Sequence, residues 1–276
     1  VYRHIGMRAC ITDSVTPFDK VIEPEALYND LNNYKGISSD MLKYSLGLHA
    51  VYTNNKETFK LLSDLTHKYK APFYIHIAET EKEVKECKEN WGGLTPVELC
   101  EEYGLFDYGG VGYHGLYFTD NDIDIFLKHN VILVTNPASN LKLGSGIAPI
   151  KKYLDKGIRI GIGTDGPASN NSIDMFREIY LVSNLSRYME KSAVSISVKD
   201  ILDMAFVNSA KSLGVDNADS LTEGKLADIV MIDANTPNMQ PENTFINNLV
   251  YACGKQNVKL TMVNGNILYE DGEFYL

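Results

Sequence analysis

The chain has 276 residues, 44% of them hydrophobic, and its 26 basic and 36 acidic residues give a formal net charge of −10. This length accommodates one large α/β domain with a small appendage, and the apolar content excludes a largely disordered chain. The acidic balance, without any Lys/Arg cluster, argues against nucleic acid and anionic membranes as main partners.

Short apolar runs alternate with amphipathic segments along the first 214 residues. Asn54–Glu57 and Thr80–Glu83 have the spacing of helix capping boxes, and Ser197–Asp200 begins a further helix that Gly214 ends. Strands that alternate with helices are typical of a parallel sheet covered on both faces. The predicted strands are Gly6–Ile11, Lys43–His49, Pro72–His76, Gly109–His114, Val131–Thr135 and Ile158–Thr164.

Beyond Gly214 the pattern changes to short strands joined by tight turns. Gly224–Asp233 contains one strand, and Val258–Val263 is a second. Asn264-Gly265 is a favoured type I′ hairpin turn, and it leads into a third strand at Asn266–Glu270. These features predict a small β appendage after the α/β region.

Polar side chains follow several of the predicted strands, at the point where each strand ends. Functional residues of a β/α barrel gather at the carboxyl ends of its strands, whereas a doubly wound sheet concentrates ligand contacts at one switch point. The spread over several strands therefore favours a TIM-type (β/α) barrel. Six strands are counted where a barrel has eight. We accordingly predict an incomplete (β/α)8 barrel over residues 1–214, lacking its first two strands, and part of a small β-sandwich-like domain over residues 215–276.

The candidate site residues each have a plain structural explanation as well. His67 and His129 lie on polar helical faces and are expected to be surface histidines, and Asp165 could cap the segment that follows it. Taken together, however, three histidines, one glutamate and one aspartate at strand ends indicate a metal-dependent hydrolase. Imidazole and carboxylate groups are natural ligands of first-row metals, and a bound metal lowers the pKa of water toward neutrality. The set is His49, His76, Glu79, His114 and Asp165.

Three longer motifs resemble the amidohydrolase superfamily, in particular its 5-methylthioadenosine/S-adenosylhomocysteine deaminase and chlorohydrolase-like branch. They are His76-Ile-Ala-Glu79-Thr80, Asn136-Pro-Ala-Ser-Asn140-Leu-Lys-Leu-Gly-Ser-Gly-Ile-Ala-Pro149 and Gly163-Thr-Asp165-Gly-Pro-Ala-Ser-Asn170-Asn. Shorter matches occur at Gly47-Leu-His49-Ala-Val-Tyr52, Gly6-Met-Arg-Ala and Gly224-Lys-Leu-Ala-Asp228. The resemblance extends over essentially the whole chain.

The resemblance implies hydrolytic deamination of an aminated purine or related heterocycle, with a divalent metal, zinc above all, as cofactor. His76 and Asp165 would be metal ligands, and Asp165 would also be the catalytic proton acceptor. His114 would hold the hydrolytic water and stabilise charge on the attacked carbon. Glu79 would contact the substrate and pass a proton to its ring, and His49 would be a second substrate contact.

The family also carries a His-x-His pair at the end of its first strand, and this sequence contains no such pair. We therefore expect the isolated chain to bind metal weakly or not at all and to be inactive. Three explanations stay open: a remainder of a longer enzyme, a fragment whose missing segment stays associated, or a short product that pairs its sheet edges with another copy. Two other functions stay open, a chlorohydrolase or cyclic amidase and a non-catalytic module derived from the barrel.

The composition also predicts the cellular location of the chain and its partners. No apolar stretch is long enough to cross a bilayer, and the four cysteines are scattered without a Cys-x-x-Cys pair, as is typical of reduced thiols in the cytoplasm. We expect a cytoplasmic protein with a small-molecule substrate, no nucleic-acid or membrane partner, and a homo-oligomeric assembly.

Overall fold

Six parallel strands form one sheet in which each strand pairs with the next along the chain. The structure is a computed structural model that describes residues 4–12, 25–26, 28–29 and 41–275. The strands are β1 (Ala9–Thr12), β2 (Leu42–Leu48), β3 (Phe73–Ile77), β4 (Gly110–His114), β5 (Ile132–Thr135) and β6 (Ile160–Ile162). Each overlaps a strand predicted from the sequence, and this sequential parallel order is that of a β/α barrel.

Helices connect the successive parallel strands from β2 to β6, as in repeated β/α units, and further helices follow β6. They are α1 (Lys56–Tyr69), α2 (Glu81–Asn90), α3 (Pro96–Glu102), α4 (Asp120–Lys128), α5 (Pro137–Leu143), α6 (Ile150–Lys156), α7 (Pro167–Asn170), α8 (Met175–Glu190), α9 (Val198–Leu202), α10 (Ser209–Ser212) and α11 (Phe245–Tyr251). A π-helical segment, Asp203–Asn208, joins α9 to α10. Within the part of the chain that the structure describes, no helix is both long enough and apolar enough to span a membrane.

Side-chain caps fix where several helices begin. The helix start predicted at Ser197–Asp200 is confirmed, because Ser197 is the cap of α9 and forms a capping box with Asp200. The predicted box beginning at Asn54 is wrong by one residue. Asn55 is the cap of α1 and accepts a hydrogen bond from the Thr58 N–H at 3.0 Å. The helix consequently starts at Lys56, where the chain has already turned away from β2.

The two faces of the parallel sheet bury different side chains. Successive residues of a strand point to opposite faces, so Phe73, Ile75 and Ile77 of β3 face the helices and belong to the main core. A separate cluster on the opposite face consists of Tyr74, Val111, Ile132 and Val134. His76 is two residues after Tyr74 in β3, so both side chains point to the inner face of the sheet. The barrel interior thus carries both apolar filling and a polar end.

A four-stranded antiparallel sheet follows the helical region, in the order β10-β9-β8-β7. Its strands are β7 (Ile229–Ile232), β8 (Val258–Val263), β9 (Asn266–Glu270) and β10 (Glu273–Phe274). The predicted turn between β8 and β9 is confirmed, since Asn264 and Gly265 have φ values of 50° and 78°, as a type I′ turn requires. The predicted α/β class with a small β portion at the C-terminal end is confirmed.

An ion pair joins the start of the parallel sheet to the small sheet. Arg8 donates to Asp228 through Nε at 2.6 Å and through Nη2 at 2.8 Å. Burial opposes ionisation of Asp228, but the hydrogen bonds from Arg8 and from the Asn264 N–H outweigh it, and the pKa of Asp228 is lowered. The Arg8 side chain is only 7% exposed, so the pair is largely removed from water.

We expect Arg8→Met to lower the free energy of unfolding by about 3 kcal/mol, because it leaves the Asp228 carboxylate without its buried cationic partner. Urea denaturation of the chain measures the change. Lys151→Met is the matched control, since it removes the partner of Asp155 in a more exposed pair and should cost less than about 1 kcal/mol. Equal losses in the two variants would contradict the importance given to the Arg8–Asp228 pair.

Candidate active site

The five predicted site residues lie at or just beyond the carboxyl ends of four strands. His49 directly follows β2, and His76 is the fourth residue of β3, with Glu79 two residues beyond that strand. His114 ends β4, and Asp165 lies three residues after β6. The carboxyl ends of parallel strands share one edge of the sheet, so the five side chains are carried to the same side of the fold.

Ring packing shows how close three of these side chains are. The ring centroids of His49 and His76 are 5.3 Å apart, and those of His76 and His114 are 5.4 Å apart. Glu79 Oε2 lies 3.9 Å from His114 Nε2. The pKa of Asp165 is lowered in part by the neighbouring His114 and His76, after its hydrogen bonds have overcome the cost of burial. The structure thus brings the predicted residues into one group.

His76 is oriented by the backbone of the neighbouring strand. Its Nδ1 lies 2.7 Å from the backbone oxygen of His49, which also accepts the His76 N–H at 3.2 Å. A carbonyl oxygen can only accept, so Nδ1 carries the proton and Nε2 keeps its lone pair. Burial is the main cause that lowers the pKa of His76, and the imidazole is therefore neutral at pH 7.

Asp165 has both carboxylate oxygens engaged. Oδ2 accepts from Ser139 Oγ at 2.6 Å, and Oδ1 accepts from the Gly166 N–H at 2.6 Å. Burial opposes ionisation, but these two hydrogen bonds favour the charged form more strongly, and the pKa of Asp165 is lowered. The side chain is an oriented, ionised carboxylate at neutral pH.

His114 is 2% exposed and is held by an asparagine. Its Nδ1 lies 2.8 Å from Asn140 Oδ1 and donates to that oxygen, with Asn136 Nδ2 further away at 3.5 Å. Its Nε2 faces Glu79. Asn140 was not singled out as a site residue from the sequence. It ends the Asn136-Pro-Ala-Ser-Asn140 run that carries the family resemblance, and that position is the signal by which it could have been found.

Glu79 is held from two sides, and neither partner was predicted. Ser145 Oγ donates to Glu79 Oε1 at 3.0 Å. Glu83 accepts the backbone N–H of Ala78 at 3.0 Å and that of Glu79 at 2.8 Å, one on each carboxylate oxygen. The capping box predicted at Thr80 is therefore half right: Thr80 Oγ1 accepts the Glu83 N–H at 3.0 Å, but the Glu83 carboxylate binds the preceding turn.

Three non-glycine residues at the site have left-handed backbone conformations. Ala78, His114 and Asp165 have φ values of 49°, 73° and 63°. Such conformations cost about 1–3 kcal/mol each and persist only where the surrounding structure fixes them. All three lie at the carboxyl ends of strands, next to the hydrogen-bonded side chains just described, which is where strained backbone is commonly found in active sites.

We expect the stability of the chain to depend on pH through Glu83. Burial raises the pKa of Glu83 from 4.5 to about 7, against the opposing effect of its backbone hydrogen bonds. The folded pKa exceeds the unfolded one, so the stabilisation is fully present below pH 4.5 and is lost as pH rises through about 7. The difference between the two pKa values corresponds to about 3 kcal/mol of the free energy of unfolding.

Urea unfolding between pH 4 and pH 8, roughly one unit either side of these pKa values, measures this loss. Glu83→Gln should flatten the profile in this range, because the amide does not titrate. Glu81→Gln is the control, since Glu81 is an exposed residue of the same helix, and it should keep the wild-type slope. An unchanged slope in Glu83→Gln would show that another group titrates.

The donor atoms of His76 and Asp165 fit a metal ion. A neutral imidazole with a free Nε2 and an ionised carboxylate are zinc ligands, and a histidine ligand commonly donates its other nitrogen to a backbone carbonyl, as His76 does to His49. Over residues 4–12, 25–26, 28–29 and 41–275, no group of three or more His, Cys, Asp or Glu side chains is placed to hold a metal. These residues therefore provide two candidate ligands.

Comparison with known proteins gives consistent relatives. The sequence profile described as "Amidohydrolase family" matches residues 2–268. The chain is 39% identical over 235 residues to a 5-methylthioadenosine/S-adenosylhomocysteine deaminase of Caldicellulosiruptor saccharolyticus, covering 85% of the chain and 54% of the relative. It is 36% identical to the enzyme of the same name from Caldanaerobacter subterraneus subsp. tengcongensis, covering 98% of the chain and 63% of the relative. The chain thus spans between half and two thirds of the length of these relatives.

Among solved structures, an adenosine deaminase from Xanthomonas campestris with bound zinc superimposes with a TM-score of 0.91 at 26% identity. The match covers 99% of this chain and 63% of that one. It confirms the predicted TIM-type arrangement of the parallel sheet. The profile match and the two deaminase relatives show that the chain belongs to the amidohydrolase family.

Proposed function

We propose that the chain is part of a metal-dependent hydrolytic deaminase of an aminated purine, such as the adenine ring of a 5′-substituted adenosine. One observation carries the proposal: His76, Glu79, His114 and Asp165 lie together at one sheet edge, each held by its own hydrogen-bond partner. The names of the two relatives, which are deaminases of 5-methylthioadenosine and S-adenosylhomocysteine, support the substrate class.

Zinc is the cofactor that we propose, with His76 and Asp165 as ligands. The chemistry of these donors and the zinc in the Xanthomonas structure support it. Bound zinc lowers the pKa of water at its open position, so that hydroxide is available near neutral pH. Catalytic zinc commonly has three protein ligands. We therefore propose that the 276-residue chain by itself binds zinc weakly and is inactive until further ligands are supplied.

For the remaining residues we propose the roles that the family resemblance implies. In the proposed reaction a water oxygen bonds to the amine-bearing ring carbon, the C–N bond breaks and ammonia leaves. Asp165, ionised and oriented, accepts a proton from the water. Glu79 delivers a proton to the ring nitrogen. His114 Nε2 positions the water and stabilises charge on the attacked carbon, and His49 contacts the substrate from the neighbouring strand.

Ammonia release tests the function. The purified chain, and in parallel the full product of the same reading frame, would be supplied with zinc and incubated with 5′-methylthioadenosine, S-adenosylhomocysteine, 5′-deoxyadenosine and adenosine. Deamination by the full product and not by the 276-residue chain supports both proposals. Release of chloride from a chlorotriazine, or of a carboxylic acid from a cyclic amide, without ammonia would identify another amidohydrolase branch. Zinc-free, inactive protein in both preparations would favour a non-catalytic module.

Assembly, location and domain boundary are further proposals. We propose a cytoplasmic homo-oligomer whose barrel portion covers residues 1–214 and whose β portion covers residues 215–276. The free thiols of all four cysteines support the reducing location. The end positions of β1 and β6 in the sheet support pairing with a further segment or copy. Light scattering of the purified chain measures the assembly.

A further inference from the structure

We propose that Glu178 is a positioning residue that fixes the orientation of Asp165 by tying together the loops that follow β5 and β6. The inference rests on the proposed function only for its catalytic consequence. Its structural part concerns the segments that follow β5 and β6, which include α7, and the first turn of α8. Glu178 lies in that first turn and is fully buried.

Glu178 receives one hydrogen bond from each loop region. Its Oε2 accepts the backbone N–H of Ala138, at the start of α5, at 2.9 Å. Its Oε1 accepts from Asn170 Nδ2, at the end of α7, at 2.8 Å. The two donors are separated by the whole β6 unit along the chain. A single buried carboxylate therefore bridges the two segments, in addition to the direct hydrogen bond between Ser139 and Asp165.

These two hydrogen bonds belong to a closed circuit that contains Asp165. Ser139, next to Ala138, donates to Asp165 Oδ2 at 2.6 Å. Asn170 Nδ2 also donates to the backbone oxygen of Thr164 at 2.6 Å, directly before Asp165. The circuit runs from Glu178 through Ala138 and Ser139 to Asp165, and back through Thr164 and Asn170.

The hydrogen-bonded circuit supports a strained backbone conformation at Asp165. Asp165 has a φ of 63°, a conformation that costs free energy and needs support from its surroundings. A buried carboxylate is itself costly unless its oxygens accept hydrogen bonds. The position of a glutamate here is explained by what it holds, which is the backbone on both sides of the Ser139–Asp165 contact.

Glu98, which is more exposed than Glu178, provides a comparison for the hydrogen-bond pattern within the same chain. It accepts the backbone N–H of Thr95 at 2.8 Å and the side-chain amide of Asn121 at 2.7 Å. The chemistry and number of its hydrogen bonds equal those of Glu178. Both donors lie near α3 and α4, and neither adjoins a predicted site residue. Glu98→Gln therefore controls for loss of a doubly bonded carboxylate in general.

Amide hydrogen exchange on the full chain tests the structural part. In Glu178→Gln, one of the two donors, the Ala138 N–H or the Asn170 amide, faces an NH2 group instead of an acceptor, and exchange in residues 136–144 and 163–172 should accelerate about tenfold or more. Elsewhere the rates should stay unchanged, and Glu98→Gln should leave both segments at the wild-type rate. Acceleration spread evenly over the chain, or equal acceleration in Glu98→Gln, would overturn the proposal.

A second variant keeps the test decisive if Glu178→Gln does not fold. Asn170→Ala removes the donor to Thr164 and to Glu178 but leaves the Ala138 contact in place. Faster exchange should then be confined to residues 163–172. Unchanged exchange there would count against the circuit.

Kinetics on the deaminase-active, zinc-loaded preparation test the catalytic part. Glu178→Gln should lower kcat by about 10–100-fold, with KM little changed, because misorientation affects proton transfer more than substrate contact. A wild-type kcat with accelerated loop exchange would overturn positioning of Asp165. The exchange experiment needs no turnover, so inactive wild-type protein would contradict the proposed function and leave the structural result to be judged separately.

Discussion

In the zinc-loaded full product, Asp165→Asn is expected to lower kcat/KM for purine deamination by about 10²–10⁴-fold, because asparagine cannot accept the proton that the attacking water loses. The substitution keeps the size of the side chain, but it removes the negative charge that Ser139 Oγ and the Gly166 N–H stabilise. One of those donors will then face an amide N–H. Ammonia release measured by a coupled assay gives the rate, and metal analysis of the same sample gives the zinc content.

Asp155→Asn is the matched control for this substitution. Asp155 is an exposed residue of α6 that pairs with Lys151, and its loss should leave kcat/KM unchanged. Asp165→Asn that keeps wild-type activity would remove Asp165 from the reaction. A variant that loses zinc together with activity would assign Asp165 to metal binding, whereas zinc retained without activity would assign it to proton transfer.

The existence of the strands was predictable because each is a local run of apolar residues, but the residues at which the strands begin and end were less predictable. The predicted strand Ile158–Thr164 is shortened to Ile160–Ile162. At its start, the Ile158 N–H is still bonded to the Tyr153 oxygen of the preceding helix end. At its end, the chain leaves the extended conformation before the left-handed Asp165. Similarly, β1 starts at Ala9 rather than Gly6, whose φ of 69° is incompatible with a strand.

The candidate site was predictable only for the residues that the motifs name. Apolar alternation places His76 on the inner face of β3, and the family resemblance supplies the expected chemistry of Glu79, His114 and Asp165. The partners that orient these residues come from far along the chain: Ser145 is 66 residues from Glu79, and Ser139 is 26 residues from Asp165. Such pairs depend on how the β/α units pack, which no local periodicity encodes.

Glu83 and Glu178 illustrate the limit most clearly. Each lies in the first turn of a helix, where a glutamate is ordinarily an exposed helix-start residue. In the folded chain both are buried, and both accept backbone N–H groups from turns at strand ends. From the sequence alone, a glutamate exposed at a helix start looks the same as one that is buried and accepts backbone N–H groups from another turn. Only the folded structure distinguishes these two roles.

In the zinc-loaded full product, we expect Glu79→Gln to lower kcat by about 10²–10⁴-fold while KM and zinc content change little. Glutamine has the size of glutamate and keeps an oxygen to accept from Ser145 Oγ, so the side chain should stay in place. It cannot carry the proton that the leaving ammonia and the purine ring require. Steady-state kinetics with a 5′-substituted adenosine give kcat and KM separately, and metal analysis gives the zinc content.

Glu81→Gln is the control, because Glu81 is an exposed glutamate two residues further along the same turn and should keep wild-type kinetics. A raised KM with unchanged kcat in Glu79→Gln would instead make Glu79 a substrate contact without a part in proton transfer. Ser145 Oγ donates to Glu79 Oε1 at 3.0 Å and holds the carboxylate in place for either role, so the separate changes in kcat and KM decide between proton transfer and substrate contact.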